Sequence, residues 1–271
     1  MALPDPAPDR TAVVTGASSG IGAEIARELV RRGHGVTLVA RRGDKLTELA
    51  DELRGAGVRA EVLTADLADR NIRAGLLGRV TDLGLVPDIL VNNAGLSTMG
   101  PIASSDPEAE MNMIEVDVVA VADLCSRFLP GMVSRGRGGV LNVASTAAFQ
   151  PLPGQAGYGA CKAFVLSYTR SLGGELRDTG VVATALCPGP VRTGFGEAAG
   201  LTTEEAEAAL PAFMWETAAA VAACGVSALH KGKPVAIPGV ANRAGAMFAH
   251  LAPKTLLVPL LASRHPGLRH D

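Results

Sequence analysis

Short, almost wholly apolar blocks alternate along this chain with longer stretches in which apolar positions recur every three or four residues. The blocks at 11–15, 35–40, 58–67, 88–93, 138–145, 181–187 and 234–239 read as strands. The periodic stretches at 21–32, 44–54, 108–134, 156–177 and 216–230 read as helices, with Pro130 expected to limit or kink the third. Strands that are apolar throughout, rather than at every second position, belong to a parallel sheet covered on both faces. The pattern predicts an α/β fold: one domain with a doubly wound parallel sheet of about seven strands and helices on both faces. No Pro/Gly/Ser linker divides the chain and no internal repeat is visible.

The two ends break the pattern. "MALPDPAPDR" carries three prolines and neither a basic nor an apolar leader, so residues 1–10 are expected to form a disordered arm before a domain spanning 11–239. Residues 240–271 form an apolar extension interrupted by Pro253 and Pro259, a poor match to the roughly 20 apolar residues of a membrane span. With 48% hydrophobic residues and a net charge of −2, the chain has material for a large core and no basic excess for nucleic acid. Cys125, Cys161, Cys187 and Cys224 are far apart and the five histidines form no ligand motif, so no metal is expected. A cytoplasmic protein is expected.

Ligands of such sheets bind beyond the carboxyl ends of the strands, so the segments that follow strands carry the chemistry. "TGASSGIG" (15–22) stands between the first strand and the first helix. Gly16, Gly20 and Gly22 allow a tight turn and close backbone approach to a pyrophosphate, with Ser18, Ser19 and Ile21 opening the helix whose free amides favour negative charge. A carboxylate after the second strand would select NAD; this chain has Arg41 and Arg42 there, which suit the 2′-phosphate of NADP(H). Arg41 is expected as the main contact, helped by Ser18 and Arg42. Further on, Tyr158 and Lys162 are spaced to share one helix face. An ammonium there favours the phenolate and should lower the tyrosine pKa toward working pH.

Taken in order, these motifs resemble the short-chain dehydrogenase/reductase family, from about residue 11 to 239. The resemblance includes "TGASSGIG", Asp66-Leu67 after the third strand, "NNAG" (Asn92, Asn93, Ala94, Gly95), Ser145 thirteen residues before Tyr158, the Tyr158-x-x-x-Lys162 pair and "PGPVRT" (188–193). It implies a Rossmann fold and hydride transfer between NADP(H) and a carbonyl or alcohol. Tyr158 would be the general acid or base, Ser145 would hold the reacting oxygen, and Lys162 would tune Tyr158 and hold the ribose. Asp66, Leu67, Asn93, Ala94 and Gly95 would line the cofactor cleft, with Pro188, Gly189, Val191 and Thr193 on the nicotinamide side.

One residue departs from the family. Where members carry an asparagine that distorts the helix after "NNAG", this chain has Asp117, whose carboxylate could pair with Lys162 and weaken its pull on Tyr158. The flap over the substrate should run from 193 to 215, with a short helix at 202–210. Phe195, Met214 and Trp215, with Leu96, Ser97 and Ser145, are candidates for an apolar substrate pocket. A small-molecule carbonyl or alcohol that is bulky, acyl or polyketide-like is the expected partner, in a homodimer or homotetramer to which the extension adds an interface. The alternative is a non-redox relative: a cyclase, a dehydratase or a cofactor-sensing protein.

Overall fold

The computed structural model describes residues 3–194, 211–264 and 266–268. Seven parallel strands form one sheet: β1 (Arg10–Thr15), β2 (Val36–Ala40), β3 (Ala60–Thr64), β4 (Val86–Asn92), β5 (Gly138–Val143), β6 (Val181–Leu186) and β7 (Val235–Ala236). Their order is β3-β2-β1-β4-β5-β6-β7. The winding therefore reverses between β1 and β4, and a crevice opens beyond their carboxyl ends. As the apolar blocks require, every residue of β5 is buried and nearly every residue of β1, β2, β4 and β6.

Two cores lie on opposite faces of the sheet. On one, α1 (Gly20–Arg31), α2 (Gly43–Arg54) and a helix at Ala218–His230 contribute Ile25, Leu29, Leu46, Leu49, Val226 and Leu229. On the other, α3 (Arg70–Asp82), α5 (Ala120–Ser134) and α6 (Ala156–Glu175) contribute Leu76, Leu124, Phe128, Met132, Val165 and Leu172. The helix at Ala218–His230 is α7, followed by α8 (Val240–Leu251) and α9 (Lys254–Arg264).

Three expectations are corrected. The hydrophobic pattern gives no sign of α3, whose sequence "RNIRAGLLGRVTD" holds two glycines and buries Arg73 on its inner face. A parallel crossover from β3 to β4 requires a connecting element, and Asp69 caps it by accepting the Asn71 and Ile72 amides at 2.7 and 3.1 Å. The long helix at 108–134 is a composite: α4 (Pro107–Ile114), a π-helical turn (Glu115–Val119), then α5, which continues past exposed Pro130. From residue 3 onward the amino-terminal arm is docked, since Leu3 is buried among the core residues of the α1/α7 face. Gly139 leaves room for it: a Cβ there would lie 3.0 Å from the Leu3 Cδ2.

Because Leu3 fills a core site, Leu3→Ala should lower stability by about 2 kcal/mol, the small end of the range for buried leucines. Urea unfolding checks this. An unchanged midpoint would mean that the arm is not held by Leu3.

Candidate active site

Thr15, the last residue of β1, organises the head of the crevice. Its hydroxyl donates to the Val91 carbonyl at 3.1 Å and accepts the amides of Asn93 and Ala94 at 3.0 and 3.1 Å. The Asn93 side chain returns the link, donating to the carbonyls of Thr15 and Gly16 at 3.0 and 3.2 Å. The turn after β1 and the segment after β4 are thus one latched unit. Two of the turn's three glycines are demanded for different reasons. Gly16 is left-handed at φ +65°, and a Cβ on Gly22 would overlap the Asn93 amide and the Gly16 carbonyl.

At the start of α1, Ser19 makes no side-chain cap, so the first-turn amides of Gly20, Ile21 and Gly22 face the crevice with the positive end of the helix dipole. Arg42 lies against this turn, its guanidinium donating to the Ser18 hydroxyl at 3.0 Å and the Ser19 hydroxyl at 2.8 Å. Arg41, expected as the leading contact, is exposed beside it. Asp66 is exposed and accepts the Ala68 amide at 3.0 Å, while Leu67 is buried.

Beyond β4 and β5 the structure brings the reactive side chains together. Tyr158 and Lys162, on one face of α6, lie with the ammonium 5.6 Å from the phenol ring centre. The Tyr158 hydroxyl hydrogen-bonds Ser145, whose oxygen also accepts the Ala147 amide at 3.1 Å. Lys162 Nζ donates to the Val143 carbonyl at 3.3 Å and stands 2.8 Å from Asp117 Oδ2. The other Asp117 oxygen accepts the Leu96 amide at 2.7 Å. Asp117 is fully buried and sits in the π-helical turn, so the local distortion of the helix is present with the carboxylate in place. A Cβ on Gly95 would lie 3.1 Å from Asp117 Oδ2 and 3.2 Å from Lys162 Nζ, so a side chain there would crowd the pair.

The segment after β6 closes the far side. Thr146 donates its amide to the Pro188 carbonyl at 2.8 Å, tying the Ser145 turn to Pro188-Gly189. Thr193 reaches back over the glycine turn, its Cγ2 3.2 Å from where a Cβ on Gly20 would stand. Val191 bridges to Glu216, which brings Met214 and Trp215 alongside, and the Trp215 ring carries Arg192 at 5.7 Å. Ser97 accepts from Gln155 at 2.8 Å beside the start of α6. Phe195 and the helix expected at 202–210 lie outside the described residues. Two contributors carry no motif that would have revealed them. Gln155 holds Ser97, and buried Asn242 of α8 donates to the Met214 carbonyl at 2.9 Å while filling the space beside Gly189. Asn242 shares its helix with Arg243 and His250, so polarity alone did not single it out.

Residues 10–204 match the short chain dehydrogenase family. The chain belongs to the short-chain dehydrogenase/reductase family. A short chain dehydrogenase of Pseudocercospora fijiensis is 37% identical over 190 residues, 69% of this chain and 61% of the relative, so the match leaves more than a third of that protein's length unaligned. A Streptomyces violaceoruber protein that bears the name of a ketoacyl reductase of the granaticin polyketide synthase is 39% identical over 199 residues, 72% of this chain and 73% of its own. Among solved structures, a short-chain dehydrogenase from Sphingobium yanoikuyae in complex with NADPH superposes with a TM-score of 0.79 at 31% identity, covering 97% of this chain and 99% of that one. The same fold also occurs in complex with NAD.

The crevice fits the nicotinamide dinucleotide of this family. It combines uncapped amides at a helix start, a turn that side chains on Gly16 or Gly22 would obstruct, and an arginine at the loop. No helix among the described residues is long and apolar enough to cross a membrane. The cleft of about 550 Å³ lined by Ala148–Pro153, Ala156, Gly159, Ala160 and Ala163 lies on the other side of α6 from Tyr158 and Lys162.

The electrostatics of this short-chain dehydrogenase/reductase centre correct one expectation. Burial is the largest influence on Tyr158 and pushes its phenol up; the Lys162 ammonium and the Ser145 hydrogen bond pull it down but do not prevail, and Asp117 pushes it further up. Burial opposes the charge on Lys162, yet Asp117 and Tyr158 together hold its pKa above the ordinary value. Burial likewise raises Asp117, against the pull of Lys162 and the Leu96 amide. Desolvation is the largest single influence on the phenol, and the Asp117 charge adds to it by opposing Lys162.

Removing the carboxylate should therefore lower the Tyr158 pKa. The chain has two tyrosines, so a Tyr168→Phe background leaves one phenol to titrate. Its phenolate absorbance should rise at a pH above the ordinary tyrosine value of about 10, and Asp117→Asn should move that rise to lower pH. A titration that does not move, or moves upward, would show that Asp117 does not set the phenol.

Proposed function

We propose that this chain interconverts a ketone and a secondary alcohol by hydride transfer with NADP(H), on a bulky apolar, acyl or polyketide-like substrate. The observation that carries the reading is the Ser145–Tyr158–Lys162 cluster beside the β1/β4 switch point, half-buried at Ser145 and Tyr158 and buried at Lys162, with the Tyr158 hydroxyl bonded to Ser145.

When bound, the nicotinamide supplies the hydride in one direction and accepts it in the other. The residues handle the proton and the oxygen. Tyr158 holds a proton on Oη, and with its pKa raised the phenol is the resting form at neutral pH, ready to protonate a carbonyl oxygen. Ser145 already accepts from the Ala147 amide, so its own hydroxyl hydrogen is available to that same carbonyl oxygen. Asp117 keeps Lys162 protonated, and Lys162 would hold the ribose hydroxyls. Gly16 to Gly22 would cradle the pyrophosphate, Asp66 and Leu67 the adenine end, Asn93 to Gly95 the floor, and Pro188, Gly189, Val191 and Thr193 the nicotinamide face. Leu96, Ser97, Met214 and Trp215 supply a mainly apolar surround for the substrate, and the ketoacyl reductase name of one relative agrees with an acyl chain.

NADP(H) preference is supported by the position of Arg42, laid on Ser18 and Ser19, and by the lack of a carboxylate after β2. A ribose 2′-phosphate would take a charge-assisted bond from that guanidinium, of about 1.5–3 kcal/mol.

Absorbance of reduced nicotinamide across a panel of ketones tests the reaction. Tyr158→Phe should keep the fold and NADPH binding while kcat falls roughly 10²- to 10⁴-fold. Near-normal turnover in that variant would remove Tyr158 from the role. Calorimetric titration should give tighter binding of NADPH than NADH, a gap that Arg42→Ala narrows; equal affinities in the unaltered protein would overturn the preference.

A further inference from the structure

Helix α8 is built inside out. Its inward positions are small or polar, with Ala246, Ala249 and Asn242 buried, while Val240, Met247, Phe248 and Leu251 are 80, 60, 67 and 76% exposed. These four recur at helical spacing and make one outward apolar stripe. Helix α9 continues it, with Leu256 at 72% and Leu260 at 47% exposure one turn apart and Leu257 turned inward. Contiguous exposed apolar surface of this kind marks an interaction site rather than ordinary surface.

Its electrical setting narrows the partner. Beside the stripe lies a groove of about 350 Å³ whose floor includes Phe149 and Ile237 and whose charged and polar members are Arg170, Arg243 and His250, with no carboxylate among its lining. Arg170 stands over the Phe149 ring at 5.8 Å, and His250 meets the same ring edge-on at 6.3 Å. Between Val240 and Leu268 the sequence contains no Asp or Glu, although the whole chain is net negative. A second copy docking its own extension here would set one basic, acid-free surface against another, with no Asp or Glu between Val240 and Leu268 of either copy to pair Arg243 or Lys254. An anionic lipid surface satisfies both features, taking the apolar stripe into its interface and the arginines at its phosphates.

We propose that α8 and α9 form a docking face for anionic phospholipid bilayers, with the Arg170–Arg243 groove receiving a headgroup phosphate. The face adjoins the active-site crevice through Asn242, which holds the Met214 carbonyl, and Phe213, next in the chain, is 73% exposed. A docked protein would therefore hold the edge of its cleft close to the bilayer.

Vesicle co-sedimentation tests this without reference to catalysis. The full chain should bind vesicles of phosphatidylglycerol mixed with phosphatidylcholine, bind pure phosphatidylcholine at least tenfold less, and release as salt rises. Arg170→Gln and Arg243→Gln should each weaken binding about fivefold. Met247→Glu with Phe248→Glu should abolish it at an unchanged melting temperature, since both side chains are exposed. Failure of the unaltered protein to bind, equal binding to both vesicles, or undiminished binding by the glutamate variant would each overturn the proposal. A dimer in solution that the glutamate variant dissociates, with no vesicle binding, would assign the face to a second copy instead.

Discussion

An ammonium group cannot be taken out of water unless charge and hydrogen bonds meet it inside, and Lys162 is met from three directions. Asp117 approaches from the π-helical turn, the Val143 carbonyl from the end of β5, and the Tyr158 ring from one turn earlier on α6, while Gly95 passes beside the pair. The pieces of chain that must converge for chemistry are the same ones that must converge to satisfy this charge. Much of the local geometry follows. A side chain on Gly95 would crowd the ion pair, and the Leu96 amide serves the second carboxylate oxygen. Tyr158 is held one turn away on the same helix.

The sheet and most of its helices were legible because parallel strands, buried on both faces, leave continuous apolar blocks that nothing else in the chain imitates. The crevice was legible for a related reason: close backbone approach demands glycine, and Gly16 and Gly22 stand where Asn93 leaves room for nothing larger. What the pattern hid depends on tertiary context. Helix α3 has weak periodicity because the inner face that should be apolar carries Arg73, whose guanidinium donates to the carbonyls of Leu67 and Ala68 and pairs with Glu115 and Asp123. Leu3 is one apolar residue among prolines, and only the gap over Gly139 makes it a core residue. The π-helical turn leaves no mark in composition, since it shifts the register without changing which residues are apolar.

The direction of the Tyr158 shift was the hardest feature to read from sequence. Spacing shows that an ammonium lies near the phenol, and the departure at Asp117 pointed to a carboxylate that could pair with it; neither shows how strongly burial acts on the phenol. Burial is the largest influence and penalises the phenolate directly, the lysine attracts it, and Asp117 offsets part of that attraction. A family asparagine in this position would keep the hydrogen bond to Leu96 and lose the charge. The Asp117 carboxylate therefore keeps Lys162 reliably protonated while making Tyr158 a weaker acid, a combination suited to storing the proton on the phenol.

The extension beyond β7 shows how one buried polar contact couples a surface to a site. Alanines on the inner side of α8 allow the helix to lie close against the domain, which leaves its larger side chains no place except outside. Asn242 is the exception on the inner side, buried with one bond to the Met214 carbonyl and packed against Gly189. Truncating it would open a hole beside the loop that follows β6 and leave that carbonyl unpaired. Rotation of α8 about its axis would move the same amide. The extension and the wall of the crevice thus share one buried side chain, which bonds the Met214 carbonyl and packs against Gly189.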